Sequence, residues 1–196
     1  LCKEIIMANQ NAPFGMRPVG RLGSAPMTQG TSKYKIANGY ATAIFKGDIV
    51  KLVGAGTVEL SSVTDVANLG VFNGCFYNDP TTKKPTFSNH YPGGITPSSG
   101  DLEAFVYDDP NMLFEIQDNG TLGQTAIGDN ADHVAGTGST VDGQSRNTLG
   151  SAAGGTAQLR IIRISEDPEN SDIASANANF IVKFNEHLYY NNGAGV

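Results

Sequence analysis

The 196-residue chain has no tryptophan, two cysteines, and charged side chains at only 16% of its positions. Cys2 and Cys75 form no C-x-x-C motif and no Cys/His cluster, which excludes a zinc ribbon, a zinc finger and a disulfide scaffold. Cys75, inside the largely apolar stretch Val71–Tyr77, reads as a small buried hydrophobe. The scarcity of Lys, Glu and Arg leaves long helices without their usual formers. The longest apolar runs are four residues, Ile5–Ala8 and Ala104–Tyr107. A spanning helix needs about 18 and the core of a secretion signal about 7–15, so neither is read here, and no membrane partner is expected. Lys3-Glu4, just ahead of Ile5-Ile6-Met7, fits a purine-rich ribosome-binding sequence, and translation is expected to start at Met7; an intact mass that included Leu1–Ile6 would contradict this.

Charge of one sign is missing from a whole segment. Between Ile5 and Gly47 there is no Asp or Glu, while Arg17, Arg21, Lys33, Lys35 and Lys46 give +5; the net charge of the chain is nevertheless −6, because residues 48–196 carry −11. Such opposite halves have two readings: the basic segment folds back on its own acidic domain, or it reaches an acidic surface on a partner. Five unclustered positive charges without interleaved aromatics fall below the footprint of a phosphate-backbone binder, so no nucleic-acid partner is expected.

What the chain does have is 24 glycines, 9 prolines and 39% apolar residues. At this length a single domain hides roughly 70% of its unfolded surface and needs no staple. Residues 8–31 show no period of 2 or 3.6, only scattered anchors (Phe14, Met16, Val19, Leu22, Met27) and prolines at 13, 18 and 26, which favour extended backbone and remove donors. Residues 1–33 are therefore expected to be an extended N-terminal arm, ordered only by contacts outside its own domain. Residues 34–196 read as an all-β domain, an antiparallel β-sandwich. Its strand candidates are 34–37, 42–45, 48–53, 57–60, 69–77, 86–90, 102–107, 112–117, 159–165 and 179–187, with Gly, Asn, Asp or Pro in almost every gap. Ile49–Val53 shows no clean alternation, which predicts a strand covered on both faces. Residues 102–117 read as one hairpin around Asp108-Asp109-Pro110-Asn111. Residues 118–155, rich in Gly, Ser and Thr, read as a long loop excursion with at most a turn or two of helix near 121–127.

Tests for chemistry fail by pattern. No Gly-Lys dipeptide exists, Gly54-Ala55-Gly56 and Gly136-Thr137-Gly138 lack a third glycine, and no serine sits in G-x-S-x-G. Ser139 has nothing local to activate it. Asp129, Asp132 and His133, and the pair Asp108-Asp109, do not follow the calcium-loop order and read as turn formers and solvated charge; His187 reads as a hydrogen-bonded or interface histidine. No catalytic, cofactor-binding or metal-ligating residue is assigned, and no enzyme activity is expected.

The pattern as a whole resembles tailed-bacteriophage capsid decoration proteins, also called cement or head-stabilising proteins. The resemblance is carried by Phe14-Gly15-Met16-Arg17-Pro18-Val19, by Phe45 to Leu52, by Leu69 to Cys75, by the Tyr107–Gln117 stretch, by Gly136-Thr137-Gly138-Ser139, and by Asn185-Glu186-His187-Leu188-Tyr189. It spans roughly residues 13–190. The resemblance implies a structural virion protein on the outer surface of an assembled capsid, stabilising contacts between subunits of an HK97-type major capsid protein. It also implies a homo-oligomer, with a trimer favoured and a dimer as alternative, and a tulip-like barrel as the variant of the β-fold. On this reading Phe14, Met16, Arg17, Val19, Arg21 and Leu22 contact the capsid, and removal of residues 8–31 leaves the β-domain folded while capsid binding is lost. The alternative is a β-rich tail-fibre or host-recognition module, which a binding face enriched in aromatics would favour.

Overall fold

The computed structural model describes residues 8–23, 26, 30–153 and 155–190. The expected start at Met7 and the anchor Met27 lie outside the described residues. The described residues are all-β, with one short 3-10 turn among them at Gln124–Ala126. No helix among the described residues is long and apolar enough to cross a membrane.

Two six-stranded sheets carry the architecture, and every named strand ladder is antiparallel. The first is ordered β1 (Arg17–Arg21), β10 (Met112–Gln117), β14 (Asn179–Phe184), β13 (Leu159–Ile164), β11 (Asn130–Val134), β12 (Thr148–Ala153). The second runs β2 (Ser32–Lys35), β9 (Glu103–Tyr107), β6 (Asn68–Asn78), β4 (Ile49–Leu52), β5 (Val58–Leu60), with β7 (Pro85–Ser88) on the far half of β6. A two-residue ribbon pairs β3 (Ile44–Phe45) with β8 (His90–Tyr91). Isolated bridges, Lys35 to Thr57 and Asp118 to Leu149, curl each sheet back on itself, but neither extends into a ladder. The fold is thus sandwich-like, and the tulip-like barrel expected from the resemblance does not close.

Burial explains the layering. Phe114, Ile116, Leu159, Phe180 and Val182 of the first sheet pack with Ile49, Val71 and Tyr107 of the second. Their sequence neighbours Val50, Phe72 and Val106 turn the other way, into a second cluster with Ile44, Val58, Cys75, Tyr91 and Leu102. The centre of the second sheet is therefore covered on both faces, as the lack of alternation at Ile49–Val53 predicts. Full burial of each such side chain contributes about 1.5–3 kcal/mol, so these strands hold the sandwich together.

Three expectations are corrected. The 102–117 stretch is a corner, not a hairpin: β9 lies in the second sheet and β10 in the first. Both edges of β9 are taken by β2 and β6, and both edges of β10 by β1 and β14, so the two have no edge left for each other. The 118–155 excursion supplies β11 and β12, half of whose length is small residues that let strands approach closely. Most consequentially, the segment expected to be a detached arm contributes β1, an edge strand on β10. Pro18 and a bulge between Pro18 and Gly20 sit in it, which an edge strand tolerates because its outer donors are not needed in a ladder.

Candidate functional site

The leading segment is fastened to its own domain by side-chain amides that imitate backbone pairing. Gln117 donates from Nε2 to Gln10 O (2.8 Å) and accepts from Ala12 N at Oε1 (3.0 Å). Asn9 does the same to the backbone of Asp172, donating to its carbonyl at 2.8 Å and accepting from its N–H at 3.2 Å. Asn170 donates to Gln10 O (2.8 Å), and Arg146 Nη1 reaches Pro13 O (3.1 Å). Order in this proline-punctuated stretch comes from within the domain, so the folded-back reading of its positive charge holds. Residues 8–22 are part of the body, and their removal would expose the β10 edge; truncation cannot separate binding from folding.

Each expected contact residue now has a place. Met16 is 2% exposed and belongs to the core, which withdraws it from any partner's surface. Arg17 Nε donates to Glu115 Oε2 (2.6 Å), approaches Asp167 (3.8 Å), and lies over the Phe14 ring at 4.5 Å. Glu115 is itself buried and also accepts from Ser165 Oγ (2.6 Å) and Asn179 Nδ2 (3.3 Å), so this carboxylate is the latch that fixes β1. Arg21 pairs with Asp109 at 2.7 Å. Val19 and Leu22 remain exposed on and just after β1, at 40% and 45%.

Phe14, Met16 and Arg17 are brought together on a hollow of about 210 Å³ that is also lined by Pro18, Lys46, Phe72, Tyr107 and Gln144; Val19, Arg21 and Leu22 do not line it. Local geometry builds its rim. The turn from β3 to β4 is closed by Asp48, whose Oδ2 accepts from Phe45 N at 2.7 Å and whose Oδ1 accepts from Asn147 Nδ2 at 3.1 Å. Burial pushes the Asp48 carboxyl up, and hydrogen bonds from Ser145 and Phe45 oppose that shift. Lys46 N donates to Gly143 O (3.0 Å) and Ser145 N to Lys46 O (2.9 Å), so a parallel bridge sets Lys46 beside Gln144. Met16 N donates to Gly47 O at 2.9 Å, and this close approach requires Gly15: its φ is +73°, and a Cβ there would lie 2.5 Å from Ser145 Cβ.

The hollow gathers three polar side chains that lack partners. Among the described residues, the exposed Lys46 ammonium has no carboxylate partner and the Gln144 side-chain amide no hydrogen bond. The Tyr107 hydroxyl likewise has none; burial alone pushes its pKa up. Among the described residues no acidic side chain lines the hollow, while Phe14 and Pro18 supply apolar walls and the core residues Met16 and Phe72 border it from within. Lys46, Tyr107 and Gln144 come from three distant stretches, and only the isolation of Lys46 in the acid-free segment hinted at one of them.

A second surface escaped the sequence reading. Phe87 is 74% exposed; its ring lies 4.6 Å from that of Phe76 and 6.1 Å from that of Phe105, across β7, β6 and β9. Lys33 sits 5.8 Å over Phe105 and pairs with Glu103 at 2.9 Å. Nothing in the sequence marked it: in a period-2 strand the polar neighbours Thr86 and Ser88 predict an inward-facing Phe87, and the structure turns it outward.

The remaining histidine candidates are buried, with at least one ring nitrogen of each hydrogen-bonded within the protein. His133 is buried with Nδ1 2.5 Å from Gln158 Oε1, and Gln158 Nε2 donates to Ser62 O (2.7 Å), which fixes the amide and makes His133 Nδ1 the donor. Asp132 accepts from Gln158 N at 3.0 Å. His187 is 1% exposed, accepts from Tyr189 N at Nδ1 (3.2 Å), and is pushed by burial down to about 4. Comparison of the chain with protein-family models, curated proteins and solved structures finds no match.

Proposed function

We propose that this chain is a structural virion protein that binds the outer surface of an assembled phage capsid and stabilises contacts between HK97-type major capsid subunits, as a homo-oligomer with a trimer favoured over a dimer. The observation that carries the reading is the hollow beside β1: in a chain of net charge −6, Lys46, Arg17, Tyr107 and Gln144 line a space to which no acidic side chain among the described residues contributes. Such a cluster is complementary to carboxylates on another protein, and the exposed Val19 and Leu22 on the same segment extend the contact with apolar area. Repeated many times over a lattice, a modest contact of this kind holds firmly through avidity.

The test is copy number in purified particles together with rebinding. Shell decoration requires copies comparable in number to the shell subunits, and rebinding of the isolated protein to stripped shells. A count matching a tail structure, with no rebinding, would contradict the proposal.

A second reading, a tail-fibre or host-recognition module, is favoured by the aromatic face of Phe76, Phe87 and Phe105. It expects few copies per particle and loss of attachment to host cells with Phe87→Ser.

A further inference from the structure

We infer that the hollow between the leading segment and the β3–β4 turn is a receptor for a single carboxylate side chain, Glu or Asp beside an apolar residue, presented by the partner protein. The choice of a protein partner rests on the capsid-binding reading above; the choice of a carboxylate rests on the hollow itself.

Four features define the occupant. Charge comes first: Arg17 is already committed to Glu115, so Lys46 is the uncompensated cation at the hollow, which suits one negative charge rather than a phosphate's two. The neutral donors come second. The Gln144 amide and Tyr107 hydroxyl, lacking acceptors of their own, supply hydrogen bonds that a carboxylate's two oxygens can accept together with the ammonium. The walls come third: Phe14 and Pro18 line the hollow with apolar groups and favour an aliphatic stem and its neighbour. Size comes last. At about 210 Å³ the space is smaller than the ~300–1,000 Å³ of typical small-molecule pockets, and it fits a side chain with part of the next. The bridge between Lys46 and Gln144, and the Met16 N–H bond to Gly47, fix the backbone from which these side chains project, so binding orders side chains and not main chain.

The probe is a capped tripeptide, acetyl-Leu-Glu-Leu-amide, titrated to millimolar concentration into the labelled full chain and followed by amide shifts, with acetyl-Leu-Gln-Leu-amide as its neutral counterpart. The expected result is shifts clustered at Met16, Lys46, Tyr107 and Gln144, with the Gln peptide weaker by about tenfold or more, since a charge-assisted hydrogen bond is what it lacks. Lys46→Ala should weaken the Glu peptide by a similar factor at unchanged thermal midpoint, because its ammonium is exposed and holds nothing in the fold; Lys46→Arg should restore binding. Equal binding of the two peptides, shifts elsewhere, no shift at millimolar peptide, or unaltered binding by Lys46→Ala would each overturn the inference. Shell rebinding separates it from the broader proposal. If Lys46→Glu rebinds shells as well as the natural chain does, the receptor role falls and capsid binding stands; if the peptide seats in the hollow but no shell is bound, the reverse holds.

Discussion

Residues 8–22 and the aromatic patch of β6, β7 and β9 both lie on the outside of the sandwich, and their sequence and structure run in opposite directions. The first has no periodicity, yet Asn9, Gln117 and Asn170 tie it down and Met16 is 2% exposed. The second is a plain β pattern, yet it leaves Phe87 74% exposed. Local pattern reports whether backbone is extended; whether a surface is satisfied depends on what arrives from elsewhere in the chain. For the leading segment the acidic body arrives, through Glu115 and Asp109. For Phe87 nothing in the described chain does beyond its two ring neighbours. Sites for partners are sought where satisfaction fails, at Lys46, Tyr107 and Gln144 and at Phe87.

The sharpest break of this comparison is a pair of truncations. Met16→Ala is expected to lower stability by about 2–5 kcal/mol in urea unfolding, as for any buried Met. Phe87→Ala, although it removes a larger ring, should change it by no more than about 0.5 kcal/mol. If the two exchange magnitudes, the leading segment is not part of the core.

Acid provides a control that resides in neither region. His187, packed against Phe184 and Tyr189, titrates near 6.5 when unfolded and about 4 when folded. The unfolded state therefore binds more protons between those values. Its contribution is fully present above pH 6.5, declines as pH falls, and is gone below about 4, a loss on the order of 3 kcal/mol. Burial lowers His133 in the same direction, whereas it raises Asp48 and Asp118 and so opposes the trend. Urea unfolding at pH 7 and pH 4.5 should show His187→Phe losing less stability on acidification than the natural chain; equal losses would place the acid sensitivity elsewhere.

The two regions also differ in their ion pairs. Arg17→Ala leaves the buried Glu115 without its cation and is expected to cost about 1.5–3 kcal/mol. Lys33→Ala on the aromatic face removes an exposed partner of Glu103 and should cost about 0–1 kcal/mol. A ratio near one in urea unfolding would show that Glu115 is hydrated rather than latched. The smallest effect is expected from Val19→Ala, within about 0.5 kcal/mol, since that side chain faces solvent on the bulge.

Much of the fold was legible where period and turn chemistry act locally. Ten strand candidates have counterparts, and Ile49–Val50 announced its two-sided burial. What was not legible is nonlocal. The corner at Asp108–Asn111 has the turn chemistry of a hairpin, and only the prior claims of β2, β6, β1 and β14 on the edges separate β9 from β10. Strand β1 was hidden by Pro18 and Gly20. Strand β12 was hidden by residues such as Gly150, whose missing side chain admits Asp132 O where a Cβ would sit at 3.0 Å. At the site, Phe14, Met16 and Arg17 were named from the sequence, but the conclusion that they reach outward fails for Met16, because an aperiodic segment carries no sign of which side faces the core. Gln144 joins them through its bridge to Lys46, and Tyr107 through the core cluster it shares with Met16.

Hydrogen–deuterium exchange of the leading segment in the full chain tests the central claim most directly, namely that this segment is a strand of the body rather than an arm awaiting a partner. Met16 N–H is bonded to Gly47 O at 2.9 Å and Leu22 N–H to Asn111 O at 2.8 Å, so both should exchange far more slowly than an unstructured amide and on the timescale of β10. Exchange of these two amides at the unprotected rate, with β10 still protected, would contradict the account and return the segment to a free arm.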